Sequence, residues 1–168
     1  MAQTADIHTI RYGTPGNSTQ PTNLPMGAGA LTVYRGTIAL TDSNGYIKNA
    51  SSPSVNDTCW GIIGQGGPGY VDSGPGIVNA AGAASSAVTV DVETGSFWLA
   101  AGSGADALTE VQVGKNVYVI NETTVGATSA SSTRPVAGVL LKASDPLNVL
   151  SGLVAVKLGS SQSSGGPS

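Results

Sequence analysis

The chain has 168 residues, 40% hydrophobic and only 10% charged, with a formal net charge of −3. That length supports one real core or two small intertwined lobes. The seven Lys and Arg (Arg11, Arg35, Lys48, Lys115, Arg134, Lys142, Lys157) form no basic stripe, which argues against a nucleic-acid partner, and no apolar run reaches the roughly 20 residues of a membrane-spanning helix. An average soluble domain is about 25% charged. A surface of Ser, Thr, Asn, Gly and Ala has few ions to strip of water when a partner covers it, so the composition points to a component of an assembly.

Residues 1–26 read as an extended N-terminal arm. "MAQTADIHTIRYG" has no apolar signal core, so no secretory signal is expected. "IHTIRY" can pair as a short strand, with Ile7, Thr9 and Arg11 on one face and His8, Ile10 and Tyr12 on the other. "GTPGNSTQPTNLP" follows, with three prolines and two glycines, and should be extended. Ile7, Ile10, Tyr12 and Leu24 gain from burial on something. The arm therefore orders against a neighbour or pairs with the chain's own sheet edge. On this reading, deleting residues 1–26 leaves the β core folded.

Residues 27–159 read as one β domain. "ALTVYRGTIAL" is rich in β-branched and aromatic residues. "DSNG" (Asp42 to Gly45) predicts a hairpin turn returning through "YIKNA". "CWGIIGQ" is the next strand, and the Gly/Pro-rich stretch from Gly64 to Ser86 is a long loop with a short strand near Ile77 and Val78. "AVTVDVETG" alternates, Val88, Val90 and Val92 against Thr89, Asp91 and Glu93. "SFWLAA", "KNVYVIN", "RPVAGVLLKA" and "GLVAVKLG" complete the strands, and Asn121, Glu122 and Thr123 form a bend. "ADALTEVQV" can hold one helical turn, and no helix of three turns is expected. Residues 160–168, "SSQSSGGPS", have a flexible-linker composition.

Two stretches, about 31–95 and 114–159, look like copies of one β unit. Each has a Val-Tyr strand (Val33-Tyr34, Val117-Tyr118), an apolar strand interrupted by Gly (Gly61, Gly138) and an alternating Val strand. A mid-strand glycine marks a bend or bulge where a barrel turns a corner.

Residues that carry chemistry are sparse. Asp91 and Glu93 share the polar face of an alternating strand, which reads as solvated rather than as an acid–base pair. His8 is the only His and lies in the arm, a poor place for a Ser-His-Asp site. One His and one Cys cannot supply the usual zinc ligands. "GQGGPG" (Gly64 to Gly69) opens no helix and has no phosphate-binding Lys, and "DSNG" lacks the later ligands of a calcium loop. Cys59, in "DTCWGIIG", reads as a small buried hydrophobe. The sequons at Asn17, Asn49, Asn56 and Asn121 are what chance gives in so Asn- and Ser/Thr-rich a chain. Trp60 and Phe97 or Trp98 should fill the core or a seam between subunits, whereas a sugar-binding module would expose Trp98 or Tyr70 as a platform. No catalytic residue, cofactor or metal is expected, and the chain does not read as an enzyme.

"ETGSFWLAA…ALTEVQVGKNVYVINETTVGATSASSTRPVAGVLLKA…GLVAVKLG" resembles the head decoration, or cement, proteins of tailed bacteriophages. Their pattern is matched by V-x-x-G-x-F at Val92 to Phe97, G-x-x-V-Y at Gly114 to Tyr118, x-x-G-V-x-L near Ala137 to Leu141 and V-x-V-x-L at Val154 to Leu158. The match covers about residues 88–159, and the Gly64–Ser86 insert departs from it. The resemblance implies a compact, tulip-like β-barrel or β-sandwich of short strands. It also implies an oligomer, most often a homotrimer, on the outer surface of a virion capsid, made in the bacterial host cytoplasm. There it would contact the major capsid protein and stabilise the shell without catalysis, with no nucleic-acid or membrane partner. Ile7, Ile10, Arg11, Tyr12 and Leu24 would then be the arm residues touching capsid or neighbour. The alternatives are a tail or head-fibre component of a virion and a carbohydrate-binding or adhesin module.

Overall fold

The computed structural model describes residues 5, 7, 9, 10, 12, 22–64, 74–80, 83–144 and 151–159. In chain order the strands are β1 (Thr22–Pro25), β2 (Leu31–Val33), β3 (Ile38–Thr41), β4 (Ile47–Lys48), β5 (Thr58–Ile63) and β6 (Ile77–Asn79). They continue with β7 (Thr89–Glu93), β8 (Gly95–Ala101), β9 (Asn116–Val119), β10 (Thr124–Gly126), β11 (Val136–Lys142) and β12 (Leu153–Leu158). Two 3-10 turns, Gly104–Asp106 and Glu110–Gln112, are the only helical pieces among the described residues. The all-β expectation holds, and of barrel and sandwich it is the barrel: β10-β8-β12-β11-β9 close on themselves. Before them in the chain, β1-β7-β5-β3-β4 form a five-stranded sheet, with the β2-β6 pair as a separate ribbon.

The two sheets are copies of one architecture, strand for strand. β3, β4, β5, β7 and β1 correspond to β9, β10, β11, β12 and β8. Each hairpin pairs its strands at the same spacing, Thr41 with Ile47 and Val119 with Val125, and closes with the same bond, Asp42 N–H to Tyr46 O and Ile120 N–H to Thr124 O, both 2.9 Å. Each has its bulge one residue before the glycine. Ala39 faces Gly61 and Leu40 faces Cys59, leaving Trp60 extra. Val117 faces Gly138 and Tyr118 faces Val136, leaving Ala137 extra. Parallel pairing of β10 with β8 joins Val125 to Ala101 in the closed barrel. Its counterpart is the single parallel bridge between Met26 and Ile47, which links the two edges of the first sheet. Gly27 N–H to Ile47 O (3.1 Å) repeats Gly102 N–H to Val125 O (2.8 Å). The first sheet is thus a barrel whose closure has shrunk to one bridge.

The cores repeat too. Leu24, Met26, Ala39, Ile47, Ile63, Val90 and Val92 line the first barrel, and Leu99, Ala101, Val117, Val125, Leu140, Val154 and Val156 occupy the corresponding places in the second. The alternation in "AVTVDVETG" does what it predicts, with Val90 and Val92 buried and Thr89 and Asp91 exposed.

Three boundaries need correction. Val33-Tyr34 is not the counterpart of Val117-Tyr118; the strand register puts Ala39-Leu40 there. The repeat units, expected at 31–95 and 114–159, each begin one strand earlier, at Thr22 and Gly95. The arm, drawn to residue 26, therefore overlaps the fold: β1 pairs with β7 and Met26 is fully buried. "TNLP" gave no strand signal because two polar residues and a proline mask a single inward Leu24. Deleting residues 1–26 would remove a barrel strand.

Gly61 and Gly138 have a steric reason beyond the bulge. A Cβ on Gly61 would collide with the carbonyl oxygen of Glu93, and one on Gly138 with that of Lys157. Gly61→Ala and Gly138→Ala should each cost about 1–3 kcal/mol, the range of overpacked sites. Urea unfolding checks this, and the shared geometry requires both variants to fall.

Candidate functional site

The described residues of the arm lie on the chain's own barrels. Ile7 N–H donates to Arg35 O at 2.9 Å, and the Thr9 hydroxyl, buried, donates to Gly36 O at 2.5 Å. Gly36 has φ +79°, and a Cβ there would collide with the Ile7 carbonyl, so both the turn and the arm require glycine. The arm then crosses to the second barrel. Trp98 N–H donates to Ile10 O and Tyr12 N–H to Ser96 O, each at 2.8 Å, the hydrogen-bond pattern of an antiparallel ladder. Tyr12 meets the Trp98 ring edge to face, with centroids 5.3 Å apart and planes at 82°. The arm thus straps the two barrels together.

Ile7, Ile10 and Tyr12 therefore come together at the junction, with Ile10 still 40% exposed. Of the two placements the sequence leaves open, these residues take the chain's own sheet edge. Leu24 does not join them: it packs inside the first barrel. Arg11 lies outside the described residues, as do His8, Tyr70 and the tail from residue 160. Sequence reasoning missed the other half of the dock, Gly36, Ser96 and Trp98. The sequence signal was that β8 carries a large aromatic, Trp98, on the face opposite Phe97 and Leu99.

Beneath the strap, the first barrel stoppers the second. Strands β3 and β5 are apolar on both faces. Ala39 and Ile63 point into their own barrel, while Ile38, Leu40, Cys59 and Ile62 pack with Phe97, Val119, Ala137 and Leu158 of the second. Ile38 N–H donates to Glu122 O at 2.7 Å, fixing the second hairpin turn against β3. At the same end of the first barrel the corresponding residues are Thr22, Thr41, Trp60 and Thr94. The Trp60 indole N–H donates to Thr41 Oγ1 at 2.9 Å, so the indole lies over its own barrel's end, and it is 38% exposed. Of the two places expected for Trp60, the core and a seam between subunits, the core is ruled out: as a bulge residue it is turned to the rim. Phe97 is core as expected.

Two polar clasps hold loops in place. The Asp106 carboxylate accepts from the Thr128 hydroxyl at 2.5 Å and from Arg134 Nη1 at 2.8 Å, and anchors a loop in which Ala130, Ser131 and Ser132 are left-handed. Lys48 Nζ donates to Asp57 at 2.9 Å, and Ser54 N–H to the same oxygen at 2.7 Å. Neither clasp holds a nucleophile or a metal-binding set, and no group of three or more His, Cys, Asp or Glu among the described residues is arranged to hold a metal ion. Burial between the barrels pushes the Cys59 thiol up to about 12, against smaller opposing effects of hydrogen bonds with Gly159 and Gly61. A polar cavity of about 350 Å³ is lined by Asn23, Arg35, Gly64, Ile77, Thr89 and Asp91. No helix among the described residues is long and apolar enough to cross a membrane. Searches against family models, curated proteins and solved structures find no match to this chain.

Three outcomes follow from this geometry. Tyr12→Ala should lower stability by about 1–3 kcal/mol, since an aromatic pair contributes roughly 0.5–1.5 kcal/mol beyond its buried area; thermal unfolding reads it. Cys59 in the native protein should resist iodoacetamide at pH 8 and react only in denaturant. The Thr128 hydroxyl first, then Arg134, hold the Asp106 carboxyl below the ordinary range against the opposing effect of burial. A depressed folded value stabilises at neutral pH, and that stability is lost as pH falls through the folded value. Asp106→Asn should therefore cost about 1–3 kcal/mol at pH 7, with the gap to wild type closing below about pH 4.

Proposed function

We propose that the chain is a structural virion protein, a capsid decoration or cement protein that binds the outer surface of a tailed-phage head as a homo-oligomer and stabilises the shell. The observation that carries this reading is where the resembling motifs fall. Val92 to Phe97 runs from β7 into β8, Gly114 to Tyr118 enters β9, Ala137 to Leu141 lies in β11 and Val154 to Leu158 in β12. All four contribute to the closed barrel, its core and its bulge glycine, so the similarity follows the architecture rather than a low-complexity run. The sparse charge and the strapped pair of barrels suit a rigid block whose surface is meant to be covered. On this reading the chain does no catalysis, its partners are the major capsid protein and itself, and attachment gains from several linked contacts acting together. The arm contributes by fixing the barrels relative to one another, with Ile10 left on the surface.

The test is co-sedimentation of the purified protein with expanded heads of its source phage. Saturation at a fixed small-integer ratio to the major capsid subunit, with heads then surviving heat longer, is the expected result. Recovery in tail fractions with no binding to heads would favour the tail or head-fibre reading. Glycan binding without either would favour the adhesin reading, although Trp98, covered by Tyr12 and 8% exposed, offers no platform. Arm removal is best made before Thr22. That truncation should fold with a lower melting temperature and bind heads more weakly; equal binding would remove the arm from the attachment.

A further inference from the structure

The contact between the two barrels is head to tail. The outer face of β3 and β5 in the first barrel meets the hairpin end of the second, so each barrel contributes a different surface. Because the barrels are copies, each owns both surfaces, and one of each is left unused among the described residues: the outer face of β9 and β11, with the turn before β9, and the hairpin end of the first barrel.

Both unused surfaces carry exposed apolar side chains. Before β9, Val111 is 75% and Val113 40% exposed. Both precede Gly114, whose φ of +82° and bond to Leu140 O repeat Gly36, with φ +79° and its bond to Ile63 O. No described residue stands within 4 Å of a Cβ at Gly114, whereas the arm occupies that place at Gly36. On β9 and β11, Asn116, Tyr118 and Val136 stand at the positions of Ile38, Leu40 and Cys59, half-buried where those three are buried. The Asn116 side-chain oxygen is buried without a hydrogen-bond partner. In the first barrel, Trp60 at the hairpin end is 38% exposed, and Val55, in the β4–β5 loop three residues before the Thr58 that pairs with Thr41 beside the hairpin, is 49% exposed. Thus, among the described residues, four of the six exposed large hydrophobics fall on the two surfaces that the internal contact would bring together, with a tryptophan and a tyrosine of the kind that anchors interfaces.

We propose that a second copy of this chain docks there. The β9–β11 face of one copy, with Val111 and Val113, seats on the hairpin end of the next copy's first barrel, around Val55 and Trp60. The new contact is heterologous like the internal one, so it propagates, and it ends in a ring where the rotation closes. The pairing is more polar than the internal one, Asn116 and Tyr118 replacing Ile38 and Leu40, as befits an interface whose surfaces also meet water in the free chain. It deepens the self-association part of the proposed function and is separable from its capsid part: purified chain that assembles without binding heads keeps this proposal and sinks the capsid reading.

The experiment uses full-length protein in sedimentation velocity over a concentration series, with Val111→Asp/Val113→Asp blocking one surface and Val55→Asp the other. All three side chains are solvent-exposed, and unchanged melting temperatures confirm intact folds. Wild type should associate, and each variant alone should be monomeric. An equimolar mixture of the two variants should form a 1:1 complex that grows no further, because it retains one intact pair of surfaces. Monomeric wild type at every concentration, either variant associating as wild type does, or a mixture that stays monomeric overturns the proposal.

Discussion

A small barrel has two ends, and the side chains along its strands can fill the middle more easily than the mouth. In this chain the mouth of the second barrel is closed by the outer face of the first, and much of the architecture follows from that. The closure requires β3 and β5 to be apolar on both sides, which is why Ile38 and Ala39, or Ile62 and Ile63, are buried in succession. It requires a small residue, Ala137, at the bulge of the second barrel, and it buries Cys59 out of reach of solvent. Among the described residues the first barrel has no such stopper. At the matching bulge it has Trp60, which lies over its own mouth through the bond to Thr41. Of the four positions that differ at this end, alanine against tryptophan at the bulge is the one that separates a mouth filled within the chain by the other barrel from one with a lid of its own.

The two copies of the architecture differ in loop size. Between β5 and β7 the first copy has the Gly/Pro-rich insert, and within it β6 pairs with β2 and brings Val33 into the first core. The second copy goes from β11 to β12 by a shorter path. Its residues before β9 fold as a 3-10 turn, leaving Val111 in solvent where the first copy buries Val33.

Much of this was legible in sequence because the decisive signals were local. The alternation of Val90 and Val92, the Asn-Gly of the first hairpin and the glycines of β5 and β11 each act through neighbours in the chain or a backbone rule, and each performs as read. What escaped was non-local. β1 carries one inward Leu between polar residues and a proline, and only its pairing with β7 makes it a strand. β3 looks like any apolar run, and no periodicity tells that its two faces serve different cores. Chemistry left Trp60 between the core and a seam between subunits, and the bulge set its direction. The junction was hardest of all: Thr9, Gly36 and Trp98 are far apart in sequence and none is unusual alone.

The strap has a consequence for the order of events. Its first anchor is the turn at Gly36 and its second is β8, a strand that also needs β12, the last of the described strands. During synthesis the arm emerges well before β12, yet one of its two seats does not exist until β12 has left the ribosome. The arm is therefore among the last segments to settle. Its docking marks a closed second barrel, and a product truncated before β12 would carry its arm unfastened.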